Sequence, residues 1–519
     1  MGAGPEPASA GRRPRGNVLF VTVDQWRADC LSALGHPVVE TPALDRLAAG
    51  GTTFTNHWAQ AAPCGPSRAC LYTGTYSFTN RSVRNGTPLD ARLSNVALEA
   101  RAAGYDPVLF GYTDASVDPR TVAADDPRLL SYEGVLPGFT PVVDFRSEPL
   151  TPWIDWLVDQ GFERPPRPDQ IFGPDPSWPG AADHGSTWAP PVYPAELSET
   201  AYLTARLLDW LAANGDAPWF VHLSYLRPHP PYRVVAPYHD RYDPADVPAP
   251  VRAATPELEA IHPLAAAALA IPGIRCPDEA ELRQTTATYY GMMAEVDHHL
   301  GRVFDRLDEM GVADDTLVVL TSDHGDQMGD HWLMEKLAWF DESYHVPMIV
   351  RDPRTPDSAR GRRVDAWTEH VDVMPTVLDW LGLTTPDQCD GRSLASFVAG
   401  DGAPDGWRHE AHWQWDFGDP AGHMAEDAFG LTTEQCNLDV LRDDRWKYVH
   451  FAAMPPLLFD LADDPHQLVD RATDPACAGA LAECAQRLLS WRQRHADRRL
   501  STMHLTPLGV AHRADPRVS

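Results

Sequence analysis

Four short apolar runs stand out along the chain: NVLFVTVD (17–24), DPVLFGYTD (106–114), PWFVHLSYL (218–226) and DTLVVLTSDHGD (315–326). None alternates cleanly between apolar and polar residues, and all are rich in Val, Leu and Phe. Such runs predict strands of a parallel sheet buried on both faces. Between them lie stretches with helical spacing. PALDRLAAGG (42–51) closes on glycine and LSNVALEARAAGY (93–105) ends similarly, while 286–311 keeps an apolar stripe over several turns. Strands alternating with helices predict an α/β fold with a large, mostly parallel sheet flanked by helices. Past residue 385 the pattern changes. RDDRWKYVHF (442–451) and PLLFDLADDPHQLVD (456–470) read as hairpin strands, followed by a helix at 475–497. The expected division is a flexible N-terminus at 1–16, a large α/β domain at 17–385, a smaller α+β subdomain at 386–499 and a C-terminal tail at 500–519.

Composition narrows the possible partners. The 519 residues carry a formal charge of −30, which argues against nucleic acid and anionic membrane, since both require a basic face. An anionic substrate would need its cationic partners gathered in one pocket. The eight cysteines form no Cys-x-x-Cys pair. The first sixteen residues hold no apolar core long enough for a signal peptide, and no later apolar run reaches membrane-spanning length. A reduced, cytoplasmic protein is expected. Prolines cluster at 164–180 and 227–250, which read as long ordered loops able to shape a pocket.

In open α/β sheets, ligand sites collect beyond the carboxyl ends of the strands. The first run ends in Asp24-Gln25, the second in Tyr112, Thr113 and Asp114, the third in RPHPPY with Arg227 and His229, and the fourth in Asp323-His324. An aspartate after a strand is often only a helix cap. Here two carboxylates, an imidazole and an amide arrive at the same edge, and these donors suit a divalent ion. The segment APCGPSRACLYTGTY (62–76) adds Cys64 at a predicted helix start with Arg68 one turn on. The dipole and the arginine favour an anionic nucleophile or substrate. A thiolate is a soft ligand for a hard, carboxylate-bound ion, so an oxygen nucleophile fits better.

These segments resemble the type I sulfatases of the alkaline phosphatase superfamily, whose maturation motif Cys-x-Pro-x-Arg stands here as Cys64-Gly65-Pro66-Ser67-Arg68. TPALDRLAAGGTTFTNHW, RPHPPY and SDHGDQMGDHWLMEK keep the same register, and the resemblance covers most of the chain. Asp24-Gln25, Asp323-His324 and SVRNGTPLD bring it nearest to the phosphonate monoester hydrolases and their arylsulfatase relatives.

The resemblance implies an alkaline-phosphatase-like fold and hydrolysis of small anionic sulfate or phosphonate monoesters, with phosphodiesters a further class. It implies that a formylglycine-generating enzyme converts Cys64 to Cα-formylglycine, whose hydrated aldehyde is the nucleophile. One divalent ion, Ca2+ or Mn2+, would be held by Asp24, Gln25, residue 64, Asp323 and His324. Arg68 and Lys336 would hold the nonbridging oxygens, with His229 the general acid and Lys336 its competitor. Asn85, Tyr112 and Thr113 are carried over as substrate contacts, and a homo-oligomer is expected. Two other readings stand beside this one: a two-metal phosphomonoesterase or phosphomutase of the same superfamily, and a non-catalytic binding protein on this fold.

Overall fold

The computed structural model describes residues 16–145, 150–215, 217–497, 500–501, 503–507 and 509–512. The N-terminal stretch expected to be flexible lies, except for Gly16, outside the described residues. Nine strands come first: β1 (Asn17–Val23), β2 (Thr52–Phe54), β3 (His57–Trp58), β4 (Val108–Gly111), β5 (Thr140–Asp144), β6 (Phe220–Tyr225), β7 (Thr316–Ser322), β8 (Met348–Arg351) and β9 (Arg362–Val364). Eight of them form one sheet in the order β5-β4-β6-β1-β7-β8-β2-β9. The pairings are parallel except those of β8, which runs antiparallel to both β7 and β2. The four runs predicted from apolarity are the adjacent central strands β4, β6, β1 and β7.

Both faces of this sheet are covered, which explains the missing alternation. Leu19, Val21 and Val23 of β1 enter one apolar cluster, with helices Pro42–Gly50, Glu199–Asn214 and Glu279–Glu309. Val18 and Phe20 enter the cluster on the other face, with helices Val96–Ala102 and Val373–Leu381. Each large apolar side chain so buried contributes about 1.5–3 kcal/mol. The helix predicted at 286–311 starts earlier, at Glu279, because Asp278 caps it by accepting the Glu281 N–H.

A short pair of β3 with β10 (Thr368–Glu369) leads to a second sheet. There β11 (Ala411–Asp416), β12 (Asn437–Arg442), β13 (Trp446–Phe451) and β14 (Leu457–Asp460) run antiparallel in that order. These strands do alternate. Trp413, Val440 and Val449 face the main body, where Trp413 stacks on Trp58 at 5.2 Å. Leu441, Tyr448 and Leu458 face helix Ala478–Arg494 through Leu488 and Trp491. In the C-terminal tail, strands β15 (Met503–Thr506) and β16 (Gly509–His512) pair as a hairpin that the sequence pattern did not signal. All eight cysteines are free. Among the described residues no helix is long and apolar enough to cross a membrane.

Candidate active site

Strand register builds the centre of the site. Val23 pairs with Ser322, so the next residues, Asp24 and Asp323, leave neighbouring parallel strands at the same level. At the end of β4, Gly111 (φ 117°) lets the chain pass Ser224, whose carbonyl would lie 2.1 Å from any Cβ there. That close passage delivers Tyr112 beside Asp24. Opposite them, helix Cys64–Thr73 points its N-terminus at the strand ends. Pro63 provides no side-chain cap; instead Asn85 Oδ1 accepts the Gly65 N–H at 2.9 Å. The remaining positive end of the helix faces the cluster.

Asp24, Cys64, Asp323 and His324 are all buried and each offers a ligand atom within 4.8 Å of the others. His324 donates Nδ1–H to the Gly325 carbonyl at 3.0 Å, which fixes its tautomer and leaves the Nε2 lone pair facing the cluster. Cys64 Sγ lies 3.1 Å from that nitrogen and 4.0 Å from Asp24 Oδ1. Burial keeps His324 below its ordinary value despite Asp323 nearby. Burial also pushes the Cys64 thiol well above its ordinary value, and Asp24 adds to the effect. The unmodified side chain is therefore a thiol, a poor nucleophile. Two carboxylates and an imidazole lone pair converging in a buried space fit a divalent ion; the thiol is the one mismatched donor, and an oxygen at residue 64 would remove the mismatch.

Arg68 is fully buried and occupied. Its Nε donates to Asp323 at 2.8 Å, Nη2 to Asp24 at 3.2 Å, and Nη1 to Ser224 Oγ at 2.8 Å and the Tyr112 carbonyl at 3.1 Å. The guanidinium also lies over the Tyr112 ring, 4.3 Å from its centroid. These partners make Arg68 the counter-cation of Asp24 and Asp323. Burial raises Asp323, but His324 and Arg68 outweigh it and hold the carboxyl below its usual range.

Tyr112 is engaged in the same network. Its hydroxyl donates to Asp24 Oδ2 and the ring is buried under Arg68, so it positions the carboxylate. Thr113 is turned away, donating to the Gly134 carbonyl and accepting the Leu136 N–H. Asn85 stands at the helix N-terminus, exposed but engaged with Gly65. Gln25 sits beside the metal-type cluster, its amide bridging Asp326 at 2.5 Å and Lys336 at 2.6 Å.

His229 and Lys336 meet directly. Arg227 holds the loop by donating to the carbonyls of His229 and Pro231. His229 donates Nδ1–H to the Pro230 carbonyl at 2.8 Å, so Nε2 accepts from Lys336 Nζ at 3.0 Å. Burial, with the Lys336 charge, brings His229 down to about 4. Burial opposes the charge on Lys336, but Glu335 and Asp24 raise its pKa above the ordinary value. In this state the proton of the pair sits on Lys336, one of the two residues expected to compete as general acid.

Three further groups were missing from the site read in the sequence, and a fourth, Asp114, was named there only as part of a strand end. Asp326 and Tyr232 form a hydrogen-bonded pair at 2.6 Å behind Gln25, and Glu335 flanks Lys336 at 3.3 Å. Asp114 packs its backbone near Gly65. Burial pushes its carboxyl up to about 8, against the pull of Arg68, and its Oδ1 has no hydrogen-bond partner among the described residues. Gln25, Asp114 and Glu335 all adopt left-handed backbone (φ 69°, 49° and 69°), a strain that collects at functional sites. No local sequence signal marks it, although Asp326 lies inside the DHGDQMGDH segment.

Comparison with known proteins gives the family. The sulfatase family model matches residues 16–383, and the model of the C-terminal part of N-sulphoglucosamine sulphohydrolase matches 329–494. The multifunctional alkaline phosphatase superfamily protein PehA of Trinickia caryophylli is 43% identical over 96% of this chain and 99% of its own. An arylsulfatase of Clostridium perfringens is 28% identical over 78% of this chain and 83% of its own. The crystal structure of the phosphonate monoester hydrolase of Agrobacterium radiobacter superposes with a TM-score of 0.92 at 45% identity, over 96% of this chain and 100% of that one. The phosphonate monoester hydrolase of Silicibacter pomeroyi gives 0.90 at 39%, with the same coverage. The chain is a hydrolase that belongs to the sulfatase family.

Proposed function

We propose that this hydrolase cleaves phosphonate monoesters, and sulfate monoesters less efficiently, with a formylglycine made from Cys64 as its nucleophile. The observation that carries this reading is the seating of Cys64 at a helix N-terminus inside the Asp24, Asp323 and His324 cluster, as a protonated thiol with no role of its own. The near-full-length likeness to two phosphonate monoester hydrolases supports the order of substrates.

A divalent ion, Ca2+ or Mn2+, would be held by Asp24, Asp323, His324 and residue 64 with Gln25 alongside, and when bound it supplies Lewis-acid polarisation. The chain's own residues do the rest. Arg68 neutralises Asp24 and Asp323 so that the two carboxylates tolerate each other in a buried space. The helix N-terminus favours negative charge developing at residue 64. Lys336 holds a proton for the departing oxygen, and His229 fixes the ammonium by accepting from it. Among the described residues one cluster of His, Cys, Asp and Glu donors has metal-binding spacing, which favours this reading over a two-metal phosphomutase. The free cysteines support a cytoplasmic setting, and exposed Leu500 and Leu505 support self-association. A formylglycine-generating enzyme is the maturation partner.

The test compares kcat/KM on an aryl phosphonate monoester and an aryl sulfate sharing one leaving group, with protein co-produced with a formylglycine-generating enzyme. The expected result is a higher value on the phosphonate and none in Cys64→Ala. A value about tenfold higher on the sulfate would overturn the substrate order, since that gap is only about 1.4 kcal/mol of transition-state preference.

A further inference from the structure

We propose that Asp326 is a positioning residue of this site: it pins the Gln25 amide with Oε1 turned to Lys336, and so sets the Lys336–His229 pair that the hydrolase reading requires. Gln25 is fully buried between unlike charges. Its Nε2 lies 2.5 Å from Asp326 Oδ2 and 3.3 Å from Glu335 Oε2, and its Oε1 lies 2.6 Å from Lys336 Nζ. Ionised carboxylates only accept and an ammonium only donates, so just one orientation of the amide satisfies all three neighbours. The opposite orientation would set the Gln25 NH2 against the Lys336 ammonium. A carboxylate at position 25 would meet the carboxylates of Asp326 and Glu335. This accounts for an amide at position 25.

Asp326 can impose this because it is itself immobilised. Oδ2 also accepts from Tyr232 Oη at 2.6 Å, and Oδ1 accepts the backbone N–H groups of Met328 and Glu335 at 2.9 and 3.1 Å. Downstream, the three N–H bonds of Lys336 go to Gln25 Oε1, to His229 Nε2 at 3.0 Å and to Glu335 Oε2 at 3.3 Å. A turned amide removes one of these and pushes the ammonium away from His229. The chain Asp326–Gln25–Lys336–His229 thus carries a fixed hydrogen-bond polarity from a buried carboxylate to a site side chain.

The test is a reciprocal exchange of polarity. Asp326→Asn sets amide against amide, and Gln25→Glu sets carboxylate against carboxylate. The double variant restores one donor facing one acceptor between positions 326 and 25, with the second oxygen of the introduced carboxylate accepting from Lys336, and leaves only the contact with Glu335 unrelieved. Each single change is expected to lower kcat roughly 30- to 100-fold with KM within about threefold, and the double variant to return within about tenfold of the parent. Independent, merely structural effects would multiply to a loss of roughly a thousandfold or more, and that result overturns the proposal. The same cycle is measured by urea unfolding of protein produced without maturation, where a midpoint recovered in the double variant is expected and an additive loss overturns it. If Asp326→Asn does not fold alone, folding regained with Gln25→Glu is the predicted outcome, and a double variant that stays unfolded while Gln25→Glu folds refutes it. A parent protein inactive on both esters would refute the hydrolase reading, while the unfolding cycle still decides the hydrogen-bond chain.

Discussion

Replacing Arg68 by lysine separates two roles for this residue. The guanidinium is fully buried and makes hydrogen bonds to Asp323, Asp24, Ser224 and the Tyr112 carbonyl, at 2.8, 3.2, 2.8 and 3.1 Å, and a longer one to Tyr72 Oη at 3.5 Å. Lysine keeps the charge, but a single ammonium cannot occupy the Nε and both Nη positions at once. At least two charge-assisted bonds are lost, each worth about 1.5–3 kcal/mol. The cation–π contact with Tyr112, about 1–2 kcal/mol when desolvated, goes with them. New contacts of the ammonium offset part of this, leaving a net loss of about 3–5 kcal/mol. Against a total stability of about 5–15 kcal/mol, that is a large fraction. Urea unfolding followed by tryptophan fluorescence, on protein produced without maturation, isolates the structural contribution from any chemistry at residue 64. A counter-cation predicts this drop in stability. A change below about 1 kcal/mol accompanied by a large rise in KM would instead mean that Arg68 grips substrate, and the argument from its buried partners would be wrong.

Other expectations are as direct. Asp114 has its carboxyl raised from 3.8 to about 8 by burial, so the native state binds this proton more tightly and the group costs stability as pH rises from about 4 towards 8. Asp114→Asn should raise the melting temperature more at pH 7 than at pH 5, the gain growing by about 1.4 kcal/mol per pH unit; an equal gain at both pH values would refute it. The His229 imidazole should stay neutral down to about pH 4, and because Lys336 is one of the two causes, Lys336→Met should move its titration upward in NMR while lowering kcat by about a hundredfold or more. An unmoved His229 titration would contradict the pairing. Dialysis against a chelator should remove activity that a divalent ion restores, with Asp24→Ala unable to bind it; turnover by demonstrably metal-free protein would contradict the metal reading.

What the sequence disclosed follows from how local each signal is. The central strands were legible because burial on both faces makes an uninterrupted apolar run, as in Val18 to Val23. Edge strands were not: Thr140–Asp144 is largely exposed and its apolar residues are too few to register. Asp24, Asp323 and His324 could be read because each ends a strand in its own motif. Gln25, Asp326, Glu335 and Lys336 are joined by hydrogen bonds spanning about three hundred residues of chain, and no spacing rule records such a meeting. Thr113 shows how little adjacency in sequence says about direction. It stands next to a site residue in sequence, yet successive residues past a strand turn opposite ways, and its hydroxyl serves the loop at Gly134 and Leu136.

The most direct test of the account is the chemical state of residue 64 in active protein. Mass spectrometry of the peptide containing it, from protein co-produced with a formylglycine-generating enzyme, should show the thiol exchanged for an aldehyde oxygen. The converted fraction should rise in proportion to kcat per mole of protein across preparations matured to different extents. A fully active preparation in which Cys64 remains an unmodified thiol would contradict the assignment of an oxygen nucleophile at this site.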